Sequence, residues 1–89
     1  MVKALIHKEH YATQISSATN TLIADEPISH GGTGKGFAPM ELLASSLAAC
    51  TSITLRMYAD RKEWNLDSIG VTVDVDRNND TSTFKRTID

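Results

Sequence analysis

The chain has 89 residues, of which 40% are hydrophobic and 22% charged, with a formal net charge of −2. These values are typical of one small globular domain with a modest core, which buries roughly 60% of the surface of its unfolded chain. One cysteine excludes an internal disulfide and a cysteine-rich zinc site. The negative charge argues against a nucleic-acid partner. We therefore expect a single domain, residues 1–89, whose small core is reinforced by a partner chain.

The cellular location follows from three features of the sequence. No apolar run approaches the roughly 20 residues of a membrane-spanning helix, and the N-terminal residues lack the long apolar stretch of a signal peptide. A lone thiol without a leader is typical of the reducing cytoplasm. We therefore expect a cytoplasmic protein without membrane contact.

The N-terminal part of the chain reads as a small sheet. Residues 2–17 carry β-branched and aromatic side chains in loose alternation, which predicts two short strands with a turn near residues 8–10. A second turn near residues 18–20 leads to a third strand at Thr21–Ala24. Pro27 lacks a backbone donor, so we expect the sheet to end just before it.

A glycine-rich loop follows at residues 30–37. Such a loop either moves or brings bare backbone close to another group. A phosphate-binding loop requires Lys and then Ser or Thr directly after its second spaced glycine, whereas Phe37 and Ala38 follow Gly36 and Lys35 lies inside the loop. The sequence therefore disfavours nucleotide binding and favours a mobile connector.

The next segment predicts one long helix. Pro39 suits the first helical position, Glu41 faces the positive end of the helix dipole, and Asn65 is a plausible stop. A stripe at spacings of 4, 3, 4 and 3 comprises Leu43, Leu47, Cys50, Thr54 and Met57. Small residues lie beside this stripe, so we expect the first half of the helix to be buried on most sides.

The last third alternates as a half-buried strand does. Its apolar positions are Ile69, Val71, Val73 and Val75. Residues 78–80 predict a turn, and Thr83–Ile88 its partner strand. The order β-β-β-α-β-β predicts an α+β fold in which one long buried helix packs on an antiparallel sheet.

Cys50 is the strongest candidate for chemistry. His7, His10 and His30 are scattered over strand, turn and loop, so we expect no metal, and nothing indicates a cofactor. Cys50 lies eleven residues after Pro39, beyond the reach of the helix dipole, with no His or Lys within one turn. From the chain alone, an inert buried thiol is therefore the favoured interpretation of Cys50.

A family resemblance changes that weighting. The residues that carry it are Asp25, Glu26, Pro27, Gly31, Gly32, Gly36, Phe37, Ala38, Pro39, Met40, Glu41, Leu42, Leu43, Leu47, Ala48, Ala49, Cys50, Thr51, Tyr58, Ala59, Arg61, Lys62 and Trp64. This pattern resembles the OsmC/Ohr family, and more closely its broader OsmC-like branch, over about Leu22 to Val75. The resemblance implies an α+β fold completed by an intimate homodimer, and a thiol peroxidase mechanism in oxidative stress defence.

In that mechanism one cysteine attacks the peroxide O–O bond and becomes a sulfenic acid. A second cysteine, on a later helix, then forms a disulfide that external dithiols reduce. Cys50 matches the attacking cysteine of the family. An arginine and a glutamate normally hold that cysteine as a thiolate, and the glutamate directly follows the proline of the motif.

The chain departs from this pattern at three points. Met40 follows Pro39, and Glu41 lies one position later, about 100° around the helix, so Glu41 is a weak catalytic candidate. No arginine precedes Arg56, and the sequence ends at Asp89 before the helix of the second cysteine. The chain thus corresponds to the first half to two-thirds of a family domain.

Two functions remain open from the sequence. The first is an OsmC-like redox protein that reduces hydroperoxides through Cys50, with an external dithiol or Cys50 of another subunit as the resolving thiol. The second is a catalytically inactive dimeric module that binds a hydrophobic ligand beside the helix or has a structural role. A third reading is a fragment that needs further chain to fold stably.

Overall fold

The computed structural model describes the backbone of residues 1–78 and 81–88 and the side chains up to Val75. Its elements are β1 (Lys3–Ile6), β2 (Thr13–Ser16), β3 (Thr21–Ala24), a short 3-10 helix (Ile28–His30), α1 (Pro39–Arg61), β4 (Val71–Asn78) and β5 (Thr81–Ile88). This order confirms the predicted α+β fold. The chain divides into two compact units, residues 1–42 and residues 43–89.

The first unit contains the antiparallel sheet β1-β2-β3. Leu5 lies opposite Gln14, and Gln14 lies opposite Ile23, so these three side chains share one face. The predicted turn between β2 and β3 is closed by Ser17, whose N–H donates to the Asn20 carbonyl at 2.8 Å. The hydroxyl oxygen of Ser17 in turn accepts the Asn20 N–H at 3.0 Å.

The glycine-rich loop closes back onto the sheet. Ala24 and Phe37 form a parallel bridge, and the Asp25 N–H donates to the Phe37 carbonyl at 3.0 Å. Within the loop, the Gly32 N–H donates to the Pro27 carbonyl at 3.0 Å. The close approach of bare backbone that a glycine-rich loop allows is therefore observed.

Helix α1 begins at Pro39, as predicted. The Glu41 carboxylate accepts the N–H of Ala38 at 2.9 Å, and the Leu42 N–H donates to the Ala38 carbonyl at 3.0 Å. Ala38 is therefore the N-cap, and Glu41 supplies the returning half of a capping box.

The end of α1 differs from the prediction. The helix stops at Arg61 rather than near Asn65, because Glu63 adopts a left-handed conformation with φ of 60°. The Trp64 N–H donates to the Ala59 carbonyl at 2.9 Å and the Glu63 N–H to the Asp60 carbonyl at 3.1 Å. This is a Schellman motif in which a glutamate occupies the position usually held by glycine.

The exposure of α1 also corrects the sequence analysis. The predicted apolar stripe faces outward: Leu43 is 50% and Met57 62% exposed. The less exposed face carries Ala44, Ala48, Thr51, Leu55 and Ala59, and only Thr51 and Ala59 of the helix are buried. The expectation that the first half of the helix is buried on most sides is therefore wrong within the single chain, where Leu43, Ala49 and Cys50 are exposed.

The second unit also contains the hairpin β4-β5, in which Val71 pairs with Ile88. Val71, Val73 and Val75 are half-buried while Thr72 and Asp74 are exposed, which confirms the predicted alternation. The partner strand begins at Thr81, two residues before its predicted start. Two residues of the predicted turn, 79 and 80, lie outside the described residues.

By length and composition, α1 can cross a membrane. An 18-residue window of this helix has a mean hydropathy of 1.2. The prediction that no apolar run is long enough to span a membrane is therefore wrong by this criterion. A core helix of a water-soluble domain passes the same test, so this observation is weak evidence for membrane insertion.

Candidate functional site

Cys50 lies on the outward face of α1 and is a free, exposed thiol. One helical turn on either side of it, residues 46–54, contains only small, hydroxyl-bearing and apolar side chains. The favoured reading of Cys50 from the chain alone, a buried inert thiol, is therefore wrong about burial. In the single chain a small oxidant has direct access to the sulfur atom.

Glu41, the weak catalytic candidate, has a structural contact of its own. Its carboxylate accepts the Ala38 N–H at the helix start. It precedes Cys50 by nine residues, which in an α-helix is two and a half turns, or roughly 13 Å along the axis and on the opposite side. The capping contact explains why a glutamate suits this position, and a catalytic role for Glu41 stays a prediction.

Arg56 is the first arginine in the chain and follows Cys50 on the same helix. Its guanidinium donates from Nη1 to the Leu66 carbonyl at 2.9 Å and lies 3.7 Å from the Asp60 carboxylate. Arg56 thereby ties the segment after α1 back to the helix. Its pair with Asp60 spans one exposed helical turn and adds little stability.

A shallow hollow of about 400 Å³ opens beside Arg56. Its walls are formed by Ser52, Ile53, Arg56, Met57 and Ile69. The hollow thus combines an aliphatic surface with one guanidinium group, a composition that suits an apolar molecule with an acidic or polar end.

The carboxylate of Asp25, which was not a candidate site residue from the sequence, accepts five hydrogen bonds. Asp25 is 2% exposed. Its carboxylate accepts the N–H groups of Glu26 at 2.7 Å, Tyr11 at 3.2 Å and Lys35 at 3.2 Å. Thr33 donates both its N–H, at 3.4 Å, and its hydroxyl group.

These donors fix the charge of Asp25. The Thr33 hydroxyl, helped by the N–H groups of Lys35, Glu26 and Thr33, holds the pKa of the Asp25 carboxyl well below its usual range, although burial acts in the opposite direction. The carboxylate is therefore ionised at every physiological pH. An aspartate just before a loop rich in glycine and threonine was the available sequence signal for this arrangement.

Two glycines allow the loop to lie this close to the sheet. A Cβ atom on Gly32 would lie 2.0 Å from the Glu26 carbonyl oxygen, and one on Gly36 would lie 1.9 Å from the Ile23 carbonyl oxygen. Within the loop, the N–H groups of Thr33 and Lys35 donate to the Asp25 carboxylate, and those of Gly32 and Gly34 donate to the carbonyls of Pro27 and Glu26.

The histidines do not converge on a metal site. Within the part of the chain that the structure describes, no three His, Cys, Asp or Glu side chains are grouped as metal ligands. His10 instead stacks on Tyr11, with ring centroids 4.9 Å apart.

Comparisons with known proteins point to one family. The sequence model of the OsmC-like protein family matches residues 32–88, which is more than half of the chain. A crystal structure from Legionella pneumophila, named as an organic hydroperoxide resistance protein OsmC, predicted redox protein and regulator of sulfide bond formation, superposes with a TM-score of 0.59 and 22% identity. The match covers 99% of this chain and 64% of that one, so the present chain spans less than two-thirds of the relative. Among curated proteins, none matches the chain significantly.

Proposed function

Because the chain belongs to the OsmC-like protein family, we propose that it is a redox protein in which Cys50 reduces organic hydroperoxides. The observation that carries the proposal is the free, exposed thiol of Cys50 at the position of the attacking cysteine in the family pattern. The name of the Legionella pneumophila relative, an organic hydroperoxide resistance protein, supports the choice of substrate. As a lone thiol, Cys50 also suits the reducing cytoplasm, which we propose as the location.

The reaction balances with one thiol and one peroxide. The Cys50 thiolate attacks the distal peroxide oxygen; an S–O bond forms, the O–O bond breaks, and the leaving alkoxide takes a proton to become an alcohol. The sulfur loses two electrons, and the peroxide gains them. An external dithiol then displaces water from the sulfenic acid, and its second thiol releases Cys50 by disulfide exchange. Residues 1–89 hold one cysteine, so both thiols of this step lie outside them.

The second part of the proposal is that the protein acts as a homodimer. The outward stripe of α1 has the spacing of a coiled-coil seam, and Leu43 and Met57 leave at least half of their surface in water within one chain. A second copy would cover this stripe and bring further side chains to Cys50. Met57→Glu should shift the protein from dimer to monomer in size-exclusion chromatography with light scattering. Ile28→Glu, at a side chain 77% exposed in the first unit, is the matched control and should leave the dimer intact.

Direct oxidation tests the redox function. One equivalent of cumene hydroperoxide should add a single oxygen at Cys50, detected by mass spectrometry and trapped by a sulfenic-acid probe. The reaction should be faster than that of glutathione at the same pH. Cys50→Ser should abolish the adduct, while Asp60→Asn is the control for a change elsewhere on α1. A rate equal to that of glutathione would contradict the proposal.

The hollow beside Arg56 supports a second candidate function, the binding of an apolar ligand without catalysis. This reading predicts an unreactive Cys50 and an apolar molecule that copurifies with the protein. Isothermal titration with decanoate decides it: binding that Ile53→Gln weakens and Cys50→Ser does not would favour a binding module.

A further inference from the structure

The donors around Asp25 come from three separate stretches of the chain. Tyr11 precedes β2, Glu26 follows β3, and Thr33 and Lys35 lie in the glycine-rich loop. We propose that the Asp25 carboxylate acts as an internal anion that holds the glycine-rich loop at Thr33 and Lys35, next to the backbone bond by which Asp25 holds Phe37 and the start of α1.

The Asp25 carboxylate accepts several hydrogen bonds as an ionised group. Hydrogen bonds to an ionised acceptor are shorter and roughly twice as strong as neutral ones. Thr33 and Lys35 both donate to this carboxylate, so one charge fixes two points of the same short loop. At 2% exposure, water cannot replace these donors while the loop is closed.

Phe37 connects the glycine-rich loop to the start of α1. The backbone N–H of Asp25 donates to the Phe37 carbonyl at 3.0 Å. Phe37 directly precedes Ala38, the N-cap whose carbonyl accepts the first helical hydrogen bond. The side chain and the backbone of Asp25 therefore hold the loop at Lys35 and Phe37, on both sides of Gly36. Release of the carboxylate would leave this part of the loop held to Asp25 only by the backbone bond to Phe37, so the residues at the helix start would loosen.

The N–H groups around Asp25 bind an anion that belongs to the chain itself. Converging N–H groups of this kind form nests that elsewhere bind phosphate. Here the nest is filled by the chain itself, so it accepts a small external anion only after the side chain has been removed. This role is independent of Cys50, and neither proposal depends on the other.

Hydrogen exchange by NMR tests the inference on the full chain. In Asp25→Asn the amides of Thr33, Lys35 and Ala38 should exchange about tenfold faster or more, as expected when a bond to a charged acceptor is lost. Glu26→Gln removes the neighbouring charge but keeps the backbone groups that Glu26 contributes, and should exchange as wild type does. In Asp25→Ala, sodium formate should restore protection and sodium chloride at equal ionic strength should not.

A measurement on the wild type covers the case in which the variants do not fold. The Asp25 carboxyl ¹³C resonance and the Lys35 amide should titrate together, below the ordinary aspartate value of about 3.9. Tyr11, Glu26 and Lys35, whose backbone N–H groups contact the carboxylate, also carry ionisable side chains. An ordinary titration of Asp25, wild-type exchange in Asp25→Asn, or equal recovery with chloride would overturn the proposal.

Discussion

Gly36 offers the sharpest test of the way the loop meets the sheet. A Cβ atom on this residue would lie 1.9 Å from the Ile23 carbonyl oxygen and 2.5 Å from its carbon. Both atoms belong to the backbone of β3, where Ile23 pairs with Gln14, so a rotamer change cannot relieve the clash. In Gly36→Ala either the strand or the loop must move.

The expected loss in the free energy of unfolding follows from the contacts that this movement breaks. Forced overpacking costs about 1–3 kcal/mol, and loss of the hydrogen bond between Asp25 and Phe37 adds about 1 kcal/mol. We therefore expect Gly36→Ala to lower the free energy of unfolding by about 2–4 kcal/mol. In a domain of this size each kcal/mol lowers the melting temperature by roughly 4–8 °C.

Gly34→Ala is the matched control. Gly34 has a φ of 66°, but the nearest atom to an added Cβ is a side-chain carbon of Ile28 at 3.7 Å. Alanine there pays only for the left-handed backbone, about 1–2 kcal/mol. Urea unfolding of both variants at one protein concentration gives the comparison. A loss for Gly36→Ala no larger than that for Gly34→Ala would refute the close approach as the reason for the glycine.

Three further predictions concern single carboxylates. Glu63→Gly should raise the free energy of unfolding by about 1 kcal/mol, because glycine adopts the left-handed helix end without strain; a loss in urea unfolding would contradict the Schellman assignment. Glu41→Ala should lower it by about 0.5–1 kcal/mol while Glu41→Gln retains the cap; equal losses would exclude the capping role. The depressed pKa of Asp25 stabilises the fold above the unfolded value of about 3.9 and loses this effect as the pH falls towards the folded value. The stability advantage of wild type over Asp25→Asn should therefore shrink on acidification below about pH 4, and a constant difference would argue against it.

Local patterns predicted the elements well. Pro39 and Glu41 marked the helix start because they act within one turn, through a fixed φ and a cap. The alternation of Val71, Val73 and Val75 predicted β4 because a strand with one buried face needs little else to specify it.

Features that depend on packing were harder to predict. The 4-3-4-3 spacing identified a stripe on α1 but not its direction, because small residues such as Ala48 and Ala59 allow closer packing than leucines do. Asn65 has the higher propensity for the left-handed conformation, yet Glu63 adopts it. The helix end is set by the hydrogen bonds of Glu63 and Trp64 to the last turn, and a propensity does not predict these bonds.

The candidate site was predicted only in part. Cys50 was identified from the family pattern, while its exposure depends on the tertiary arrangement and was not predictable from spacing. Asp25 was missed because the local signal, an aspartate before a loop rich in glycine and threonine, does not show that donors as far as fourteen residues away converge on one carboxylate.

Two close backbone contacts, at Gly32 and Gly36, restrict the length of the glycine-rich loop. Gly32 lies against the backbone of Glu26, and Gly36 lies against the backbone of Ile23. One residue added between them would displace the Phe37 carbonyl from the Asp25 N–H and shift the bridge between Ala24 and Phe37 by one residue. Insertions or epitope tags are therefore better placed at the exposed turn of residues 17–20, where Ser17 closes a short hairpin.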